Sequence, residues 1–255
     1  MKTALLVVSF GTTHLDTLNK TIAATEAVLA AAFPEDSVYR AFTSNTVRRI
    51  LERKYGIHVD SVAEALTRID GEGYDRVIVQ PTLLISGTEY DKLCAPVRDS
   101  AGSLQVVVGK PLLCCERDMN VLIEALQEAY PVDDDTMLLF MGHGTDHSAH
   151  DVYIHMAEKM RPLPMRLCTV EGTPSFADIA EELSALPYKK LCLVPMLFVA
   201  GEHAKNDMAG DEPDSLRSIL EAKGYPVECI LRGLGELADV QNMYAEKVRE
   251  ARYCF

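Results

Sequence analysis

Short apolar runs alternate along the whole chain with amphipathic segments of helical length. The apolar runs predict strands, and the amphipathic segments predict helices that connect them. This alternation is typical of βαβ units, which build parallel sheets. The predicted strands cover residues 3–9, 37–42, 76–81, 104–109, 136–141, 166–170, 190–195 and 227–231. The predicted helices cover residues 15–32, 45–54, 60–70, 89–100, 117–129, 148–160, 175–185, 213–223 and 236–250.

Two segments of the first half recur in the second half. Residues 138–145 repeat residues 5–12, and residues 193–203 repeat residues 79–89, in the same order along the chain. We therefore expect an α/β fold of two similar lobes, related by pseudo-twofold symmetry and facing each other across a cleft. Each lobe should hold a mainly parallel sheet flanked by helices.

The boundary between the lobes is expected at residues 131–135, where a proline is followed by a run of acidic residues without periodicity. This gives an N-terminal lobe of residues 1–130 and a C-terminal lobe of residues 131–255. The last helix can cross back to pack on the first lobe.

Composition excludes several classes of partner. The formal net charge of −13 argues against binding nucleic acid. Apolar runs fall short of the roughly 18 residues of a membrane span, and the first run reads as a strand, not a signal peptide. The seven cysteines form no CxxC pair, which favours reduced thiols in the cytoplasm. We expect the adjacent Cys114 and Cys115 to lie in the core.

Two histidines distinguish the second copy of the repeat from the first. His143 and His203 end apolar runs, whereas the equivalent residues of the first copy are Phe10 and Glu89. The fold therefore does not require histidine at either position. Both positions follow strands, at the edge where open α/β sheets bind ligands. The asymmetry predicts a metal site or a proton-transfer site in the second copy, although a lone histidine at a strand end can also be structural.

Carboxylates near these histidines complete a candidate site. Glu171 follows a predicted strand, and Glu89 is the counterpart of His203 in the first copy. Either can instead be an ordinary acid near a helix N-terminus. Two histidines and a carboxylate suit a divalent transition metal. His147 is a candidate to line the cleft, and we expect His150 and His155 to be solvated.

Other catalytic motifs are missing or incomplete. The sequence has no GxxxxGK[ST] phosphate loop and no GxSxG elbow. A GxGxxA match at residues 233–238 leaves too little chain for a dinucleotide fold. We therefore expect neither ATP nor a nicotinamide cofactor. Arg48 and Arg49 belong to a basic cluster that can be a solvated helix face or a local anion site.

Four motifs together resemble one family. They are Ser-Phe-Gly-Thr at 9–12, Ala-Phe-Thr-Ser at 41–44, Met-Gly-His-Gly at 141–144 and Val-Ala-Gly-Glu-His-Ala-Lys-Asn-Asp-Met-Ala at 199–209. They are similar to the anaerobic sirohydrochlorin cobaltochelatase family, CbiK, a group of class II chelatases. The resemblance implies a lyase that inserts Co²⁺ into sirohydrochlorin or precorrin-2 without ATP, on the anaerobic route to cobalamin.

The resemblance also implies roles for residues. His143 and His203 become metal ligands and catalytic groups, with carboxylate help from Glu171 or Glu89. Because Glu171 follows a strand in the half that carries the histidines, we expect it to be the direct partner of the metal. We expect Glu89 to be a supporting acid or a catalytic proton acceptor. The substrate carries eight carboxylates and needs hydrogen-bond donors around it. The candidates for substrate binding are Ser9, Phe10, Gly11, Thr12, Thr43, Ser44, Arg48 with Arg49, Gly87 and His147.

Three alternative functions stay open at this point. The same reaction can use iron or nickel, because His and carboxylate ligands bind these ions as well. A carrier would bind the tetrapyrrole or the metal without turnover. A metal-assisted hydrolase would use the same residues with a bound water. The sequence leaves the physiological metal, a homo-oligomeric state and haem binding undecided.

Overall fold

The predicted strands form two four-stranded sheets, and every strand pair in both is parallel. The computed structural model describes residues 2–98 and 104–253. The chain divides into two compact units, one of Met1–Asp118 with Ala238–Phe255 and the other of Met119–Leu237. The α/β fold with an internal repeat is therefore confirmed. The last two residues of the predicted helix 89–100 lie outside the described residues.

The first unit has the strand order β2-β1-β3-β4. Its strands are β1 Thr3–Ser9, β2 Ser37–Phe42, β3 Arg76–Pro81 and β4 Gln105–Val108. Its first helix, α1 Leu15–Leu18, continues through a π-helical turn at Asn19–Ala23 into α2 Ala24–Ala32. Its other helices are α3 Asn45–Tyr55, α4 Val62–Gly71, α5 Thr88–Arg98 and α10 Ala238–Tyr253. Helix α6, Glu116–Ala129, contains the point at which the two units divide.

The second unit has the strand order β6-β5-β7-β8, which is the order of the first unit with every strand number raised by four. Its strands are β5 Thr136–Gly144, β6 Met165–Glu171, β7 Lys190–Pro195 and β8 Val227–Cys229. Its helical segments are a 3₁₀ turn at Ser148–His150, α7 Asp151–Met160, α8 Phe176–Glu182, a 3₁₀ turn at Leu183–Ala185, a π-helical turn at Ala204–Met208, α9 Leu216–Ala222 and a 3₁₀ turn at Leu234–Glu236.

The two sheets share their register as well as their order. Pro81 of β3 pairs with Val8 of β1, and Pro195 of β7 pairs with Met141 of β5. The residue after each proline donates a backbone hydrogen bond of 2.8 Å to the strand partner of that proline, from Thr82 to Val8 and from Met196 to Met141. This register makes Phe10 the structural counterpart of His143 and Glu89 the counterpart of His203, as the sequence repeat predicts.

The central strands are apolar throughout because both of their faces are covered by helices. In β1, Leu5 and Val7 pack in a cluster with residues of α2 and α10. Leu6 and Val8 point to the other face and pack in a cluster with residues of α4. Strand β5 is buried over most of its length in the same way. The sheets therefore bury their central strands and present functional side chains only at the strand ends.

Among the helices of residues 2–98 and 104–253, none combines the length and the hydropathy that crossing a membrane requires. The six cysteines in that part of the chain are free thiols, of which Cys168 and Cys192 are buried. These two confirm the predicted buried, reduced cysteines.

Leu6 and Leu139 occupy equivalent, fully buried positions in the two central strands. We expect Leu6→Ala and Leu139→Ala each to lower the free energy of unfolding by about 2–5 kcal/mol, because each leaves a cavity. Urea denaturation of each variant measures the loss. The exposed Val121 gives a control, and Val121→Ala should stay within about 0.5 kcal/mol of the parent. A negligible loss at either leucine would contradict the equivalence of the two cores.

Candidate metal site

The end of β5 is shaped by Gly144, because any larger residue at this position would force the backbone to move. Gly144 has a positive φ of 79° and pairs with Glu171 of β6. A Cβ atom at this position would lie 1.6 Å from the carbonyl oxygen of Glu171. The close approach holds the ends of β5 and β6 together. It thereby brings His143, one residue before Gly144, close to Glu171.

Tyr153 of α7 supports the same strand end. Its ring packs on Gly142, where a Cβ atom would lie 2.6 Å from a ring carbon. Its hydroxyl is hydrogen-bonded to the backbone of His143 and Gly144. Burial raises the pKa of Tyr153 to about 12, so the hydroxyl stays neutral. The sequence analysis missed Tyr153, although the small residue at 142 was a signal that a bulky side chain packs there.

His143 presents one nitrogen for binding. Its Nδ1 lies 3.0 Å from the carbonyl oxygen of Gly144. A carbonyl oxygen can only accept, so Nδ1 carries a proton, and in the neutral ring the lone pair is on Nε2. The His143 side chain is 40% exposed, and a carboxylate oxygen of Glu171 lies 4.0 Å from Nδ1. His143 therefore lies beside an acidic group with its Nε2 side turned away from the Gly144 carbonyl oxygen.

His203 is held in the same protonation pattern by Asp207. The two residues are four apart in a helical segment that includes the π-helical turn at Ala204–Met208, so they share a face. His203 Nδ1 lies 2.6 Å from Asp207 Oδ2 and donates its proton to that carboxylate. A carboxylate bound to the far nitrogen fixes the ring and increases its basicity as a metal ligand. The sequence analysis missed Asp207, which only its spacing from His203 could have indicated.

The imidazole ring of His143, near the end of β5, meets that of His203, in the helical segment that follows β7. Their centroids are 4.5 Å apart, and their planes are nearly perpendicular, at 87°. With both Nδ1 atoms donating, each ring in its neutral form has its lone pair on Nε2. Glu171 is the carboxylate beside His143, and its side chain is 55% exposed. The second unit thus brings His143 next to both His203 and Glu171.

The loop that follows Glu171 is held by His150. The Thr145 N–H donates to Nδ1 of His150, and Nε2 lies 2.6 Å from the Thr173 carbonyl oxygen and 3.1 Å from the Thr173 backbone nitrogen. Thr169 N also donates to the carbonyl oxygen of Pro174, which folds the loop back on β6. The prediction that His150 is solvated is wrong, because its ring bridges two loops. His155 is exposed, as predicted.

The corresponding edge of the first unit carries a different set of residues. Thr43 Oγ1 donates to Glu89 Oε2 at 2.6 Å, and Lys92 Nζ contacts Glu89 Oε1 at 2.6 Å. Phe10, the counterpart of His143, is 46% exposed. Within this unit the structure therefore joins a carboxylate, a hydroxyl and an ammonium group, beside an exposed aromatic ring at the end of β1.

Three of the predicted substrate-binding hydroxyls accept hydrogen bonds from neighbouring groups. The buried Ser9 hydroxyl accepts from Thr82 at 2.8 Å, and Thr12 Oγ1 accepts from the backbone of His14. Ser44 caps α3, and its hydroxyl accepts from Val47 N. These contacts position the three hydroxyls near the strand ends, and each hydroxyl keeps its own proton for donation.

Arg48 is also engaged. Its guanidinium donates to the carbonyl oxygen of Val59, to Asn45 and to Glu64. Arg49, on the same helix, is exposed. Arg48 therefore anchors the segment between α3 and α4, which removes most of the reason to expect it to bind a substrate carboxylate.

The glycines and His147 complete the predicted set. Gly11 has a positive φ of 98°, and a Cβ atom there would meet the Phe42 ring at 2.6 Å. The Gly87 carbonyl accepts the first backbone bonds of α5. His147 caps the 3₁₀ turn, since its Nδ1 accepts from Ala149 N at 3.0 Å. All three residues therefore shape backbone next to strand ends.

Comparison with known proteins places this arrangement in a family. The sequence model of the family described as cobalt chelatase (CbiK) matches residues 3–252. The chain belongs to the cobalt chelatase (CbiK) family. It is 37% identical over 256 residues to a sirohydrochlorin cobaltochelatase of Salmonella typhimurium, and the alignment covers 98% of this chain and 97% of the relative. It is 36% identical over 228 residues to the sirohydrochlorin cobaltochelatase CbiKC of Nitratidesulfovibrio vulgaris, covering 86% and 80% of the two chains.

Solved structures agree with the family's fold. SirB from Bacillus subtilis with Fe³⁺ superimposes with a TM-score of 0.69 at 17% identity, covering 99% of this chain and 96% of that one. CbiX, the terminal enzyme for biosynthesis of siroheme in denitrifying bacteria, gives a TM-score of 0.56 at 18% identity, with coverage of 97% and 99%. At these identities the likeness supports the chelatase fold alone.

Gly144→Ala should disturb the site through the backbone. A left-handed φ costs a residue with a Cβ atom about 1–3 kcal/mol, and the contact with Glu171 forces further movement. We expect a lower free energy of unfolding and weaker Co²⁺ binding, measured by denaturation and by calorimetric titration. Gly201→Ala is the matched control, because a Cβ atom there meets nothing within 4 Å. Equal behaviour of the two variants would contradict the role of Gly144.

Asp207→Asn should weaken cation binding while leaving the fold intact. The amide cannot accept the Nδ1 proton of His203 with the strength of a carboxylate, and loss of such a partner lowers metal affinity by about 10–100-fold. The measurement is the Co²⁺ dissociation constant. Asp211→Asn makes the same charge change at a carboxylate that pairs with Arg217, and it should leave the constant unchanged. If the dissociation constant rises equally in both variants, the effect comes from the loss of one negative charge and not from the contact with His203.

Proposed function

We propose that this protein is a sirohydrochlorin cobaltochelatase, which inserts Co²⁺ into sirohydrochlorin or precorrin-2 without ATP. The observation that carries the proposal is the pair formed by His143 and His203, whose Nδ1 atoms both donate to fixed acceptors and leave both Nε2 lone pairs free. Family membership and the names of its relatives support the substrate and the metal.

The setting proposed for this reaction is anaerobic cobalamin biosynthesis in the cytoplasm. The free thiols of the described cysteines are consistent with a reducing compartment.

In the proposed mechanism the histidine pair receives the metal before it enters the ring. First-row ions bind imidazole nitrogen at about 2.0–2.1 Å, and rings with centroids 4.5 Å apart can share one ion after small rotations. Glu171 lies near the protonated nitrogen of His143, so its exposed carboxylate turns toward Nε2 to join the ion. Glu171 and Asp207 together supply two negative charges beside a dication, which favours binding of the divalent ion.

Metal insertion releases two pyrrole protons, and the proposal assigns their removal to basic side chains. His143 can accept a proton at Nε2 after it has passed the metal to the ring. Glu89 is the proposed second acceptor, and the Thr43 hydroxyl orients its carboxylate. Protonation of Glu89 would weaken its ion pair with Lys92, which then becomes available to a carboxylate of the substrate.

Substrate binding in this proposal combines an apolar contact with polar donors. Phe10 offers an exposed ring at the end of β1, suited to packing against the face of a macrocycle. Arg49 and Lys92 are exposed cations on the first unit. Arg48 is assigned to the fold, since its donors are occupied.

The test is a multiple-turnover assay. Purified protein at catalytic concentration is mixed with sirohydrochlorin and Co²⁺ without nucleotide, and the absorbance of the metallated product is followed. His143→Ala and His203→Ala should each lower the rate by at least about 100-fold. His155→Ala, at an exposed histidine of α7, is the control and should keep the parental rate. Stoichiometric binding without turnover would identify a carrier, and preference for Fe²⁺ or Ni²⁺ would reassign the metal.

The two glutamates should separate binding from turnover. Glu171→Gln removes the carboxylate beside the histidines and should weaken Co²⁺ binding by about 10-fold. Glu89→Gln removes a proton acceptor and should lower kcat while leaving Co²⁺ affinity unchanged. Calorimetric titration with Co²⁺ and steady-state kinetics on both variants measure the difference. The reverse pattern would exchange their assigned roles.

A further inference from the structure

The vicinal cysteines lie at the surface, at a turn that is fixed on both sides. We expected Cys114 and Cys115 to lie in the core, but both are exposed. The reason is that the buried apolar run ends at Leu113, one residue before Cys114. Leu112 and Leu113 are buried and donate backbone bonds to Leu83 and Leu84, after which the chain turns outward to begin α6.

Asp118, in the first turn of α6, joins the two thiols in one cluster. The side-chain donor atoms of Cys114, Cys115 and Asp118 all lie within 4.8 Å of one another, a grouping found nowhere else among residues 2–98 and 104–253. Asp118 Oδ2 accepts from both cysteine backbone N–H groups and lies 3.1 Å from Cys114 Sγ. Capping accounts for the backbone bonds, but it leaves the presence of two adjacent thiols unexplained.

Lys247 of α10 balances the charge of this cluster. Its Nζ lies 2.7 Å from Asp118 Oδ1 and 3.3 Å from Cys114 Sγ, and its side chain is 3% exposed. The ammonium and the carboxylate form a buried ion pair whose charges balance, and the two thiols supply the protons that a cation can replace.

The internal repeat shows that the fold does not require these thiols. In the second unit Leu234 and Gly235 donate the equivalent backbone bonds to Leu197 and Phe198, and α10 begins in the place of α6. The residues that correspond to Cys114 and Cys115 are therefore Glu236 and Leu237. The same turn is made in the second unit without sulfur.

We propose that Cys114, Cys115 and Asp118 form a binding site for a thiophilic divalent cation such as Zn²⁺ or Co²⁺. On binding, both S–H bonds break, two metal–sulfur bonds form, and two protons leave to solvent. The dication replaces two protons, so the net charge of the cluster with Lys247 stays at zero. Lys247 remains on Oδ1, and Oδ2 becomes the third ligand.

The geometry fits an ion of this class. Metal–sulfur bonds of about 2.3 Å place two sulfurs roughly 3.8 Å apart on a tetrahedral ion, and metal–oxygen bonds are about 2.0–2.2 Å. The three donor groups already lie within 4.8 Å of one another, so side-chain rotations can bring their atoms to these distances. Both cysteines are exposed, which lets water supply a fourth ligand. Two thiolates favour zinc-like ions over Mg²⁺ or Ca²⁺.

Cobalt is a spectroscopic probe that separates this site from the histidine pair. Thiolate ligands give Co²⁺ a sulfur-to-metal charge-transfer absorption that imidazole and carboxylate do not. We expect this absorption, with release of about two protons per ion, in the reduced parent protein and in a His143→Ala, His203→Ala double variant. Its presence in the double variant is independent of chelatase activity, so failure of the proposed function leaves this result interpretable.

Cysteine variants complete the test. Cys114→Ser with Cys115→Ser should abolish the absorption and lower Co²⁺ affinity by at least about 10-fold in the double-histidine background. The matched control is Cys94→Ser with Cys229→Ser, which removes two half-buried thiols outside the cluster and should keep both properties. Circular dichroism verifies that each variant is folded. No charge-transfer absorption in the parent protein, or absorption that survives Cys114→Ser with Cys115→Ser, would overturn the proposal.

Discussion

The candidate site depends on one backbone contact, the close approach of Gly144 to the carbonyl oxygen of Glu171. This contact continues the pairing of β5 and β6 beyond the point where the first sheet pairs Ser9 with Phe42. The extension keeps His143 on a strand instead of in a loop, and the Tyr153 ring packs against this strand at Gly142. A rigid strand end allows an imidazole to hold a cation in one place while the backbone stays fixed.

Most of the fold followed from periodicity, because buried parallel strands are continuous apolar runs and their connecting helices are amphipathic. All eight strands formed within a few residues of their predicted bounds. The repeat indicated His143 and His203 because a duplicated backbone shows which residues the fold does not need, whereas Glu171 was predicted from its position after a strand. Asp207, Tyr153 and His150 were missed, since their roles arise from contacts between segments. The exposure of Cys114 and Cys115 was missed because their turn depends on backbone bonds to another loop.

The two units place different chemistry on the same backbone. In the second unit both Nδ1 atoms lie against acceptors, a carbonyl oxygen and a carboxylate, which orients each ring for its proposed role as a ligand. In the first unit the counterparts are an aromatic ring and a glutamate held by Thr43 and Lys92. The duplicated frame thus separates cation binding from the contacts suited to an organic ring and its protons.

The position of α10 has a consequence for synthesis on the ribosome. Ala245 and Val248 of this helix complete the core of the first unit, and Arg76 of β3 donates to the carbonyl oxygens of Ala251 and Arg252. The second unit, Met119–Leu237, is continuous in the chain and needs no later residues. The first unit therefore begins to emerge before the second unit, but its fold is completed after that of the second unit. During translation the face of the first sheet that α2 and α10 cover together is incompletely covered until α10 leaves the exit tunnel, and this face is where a chaperone would bind the nascent chain.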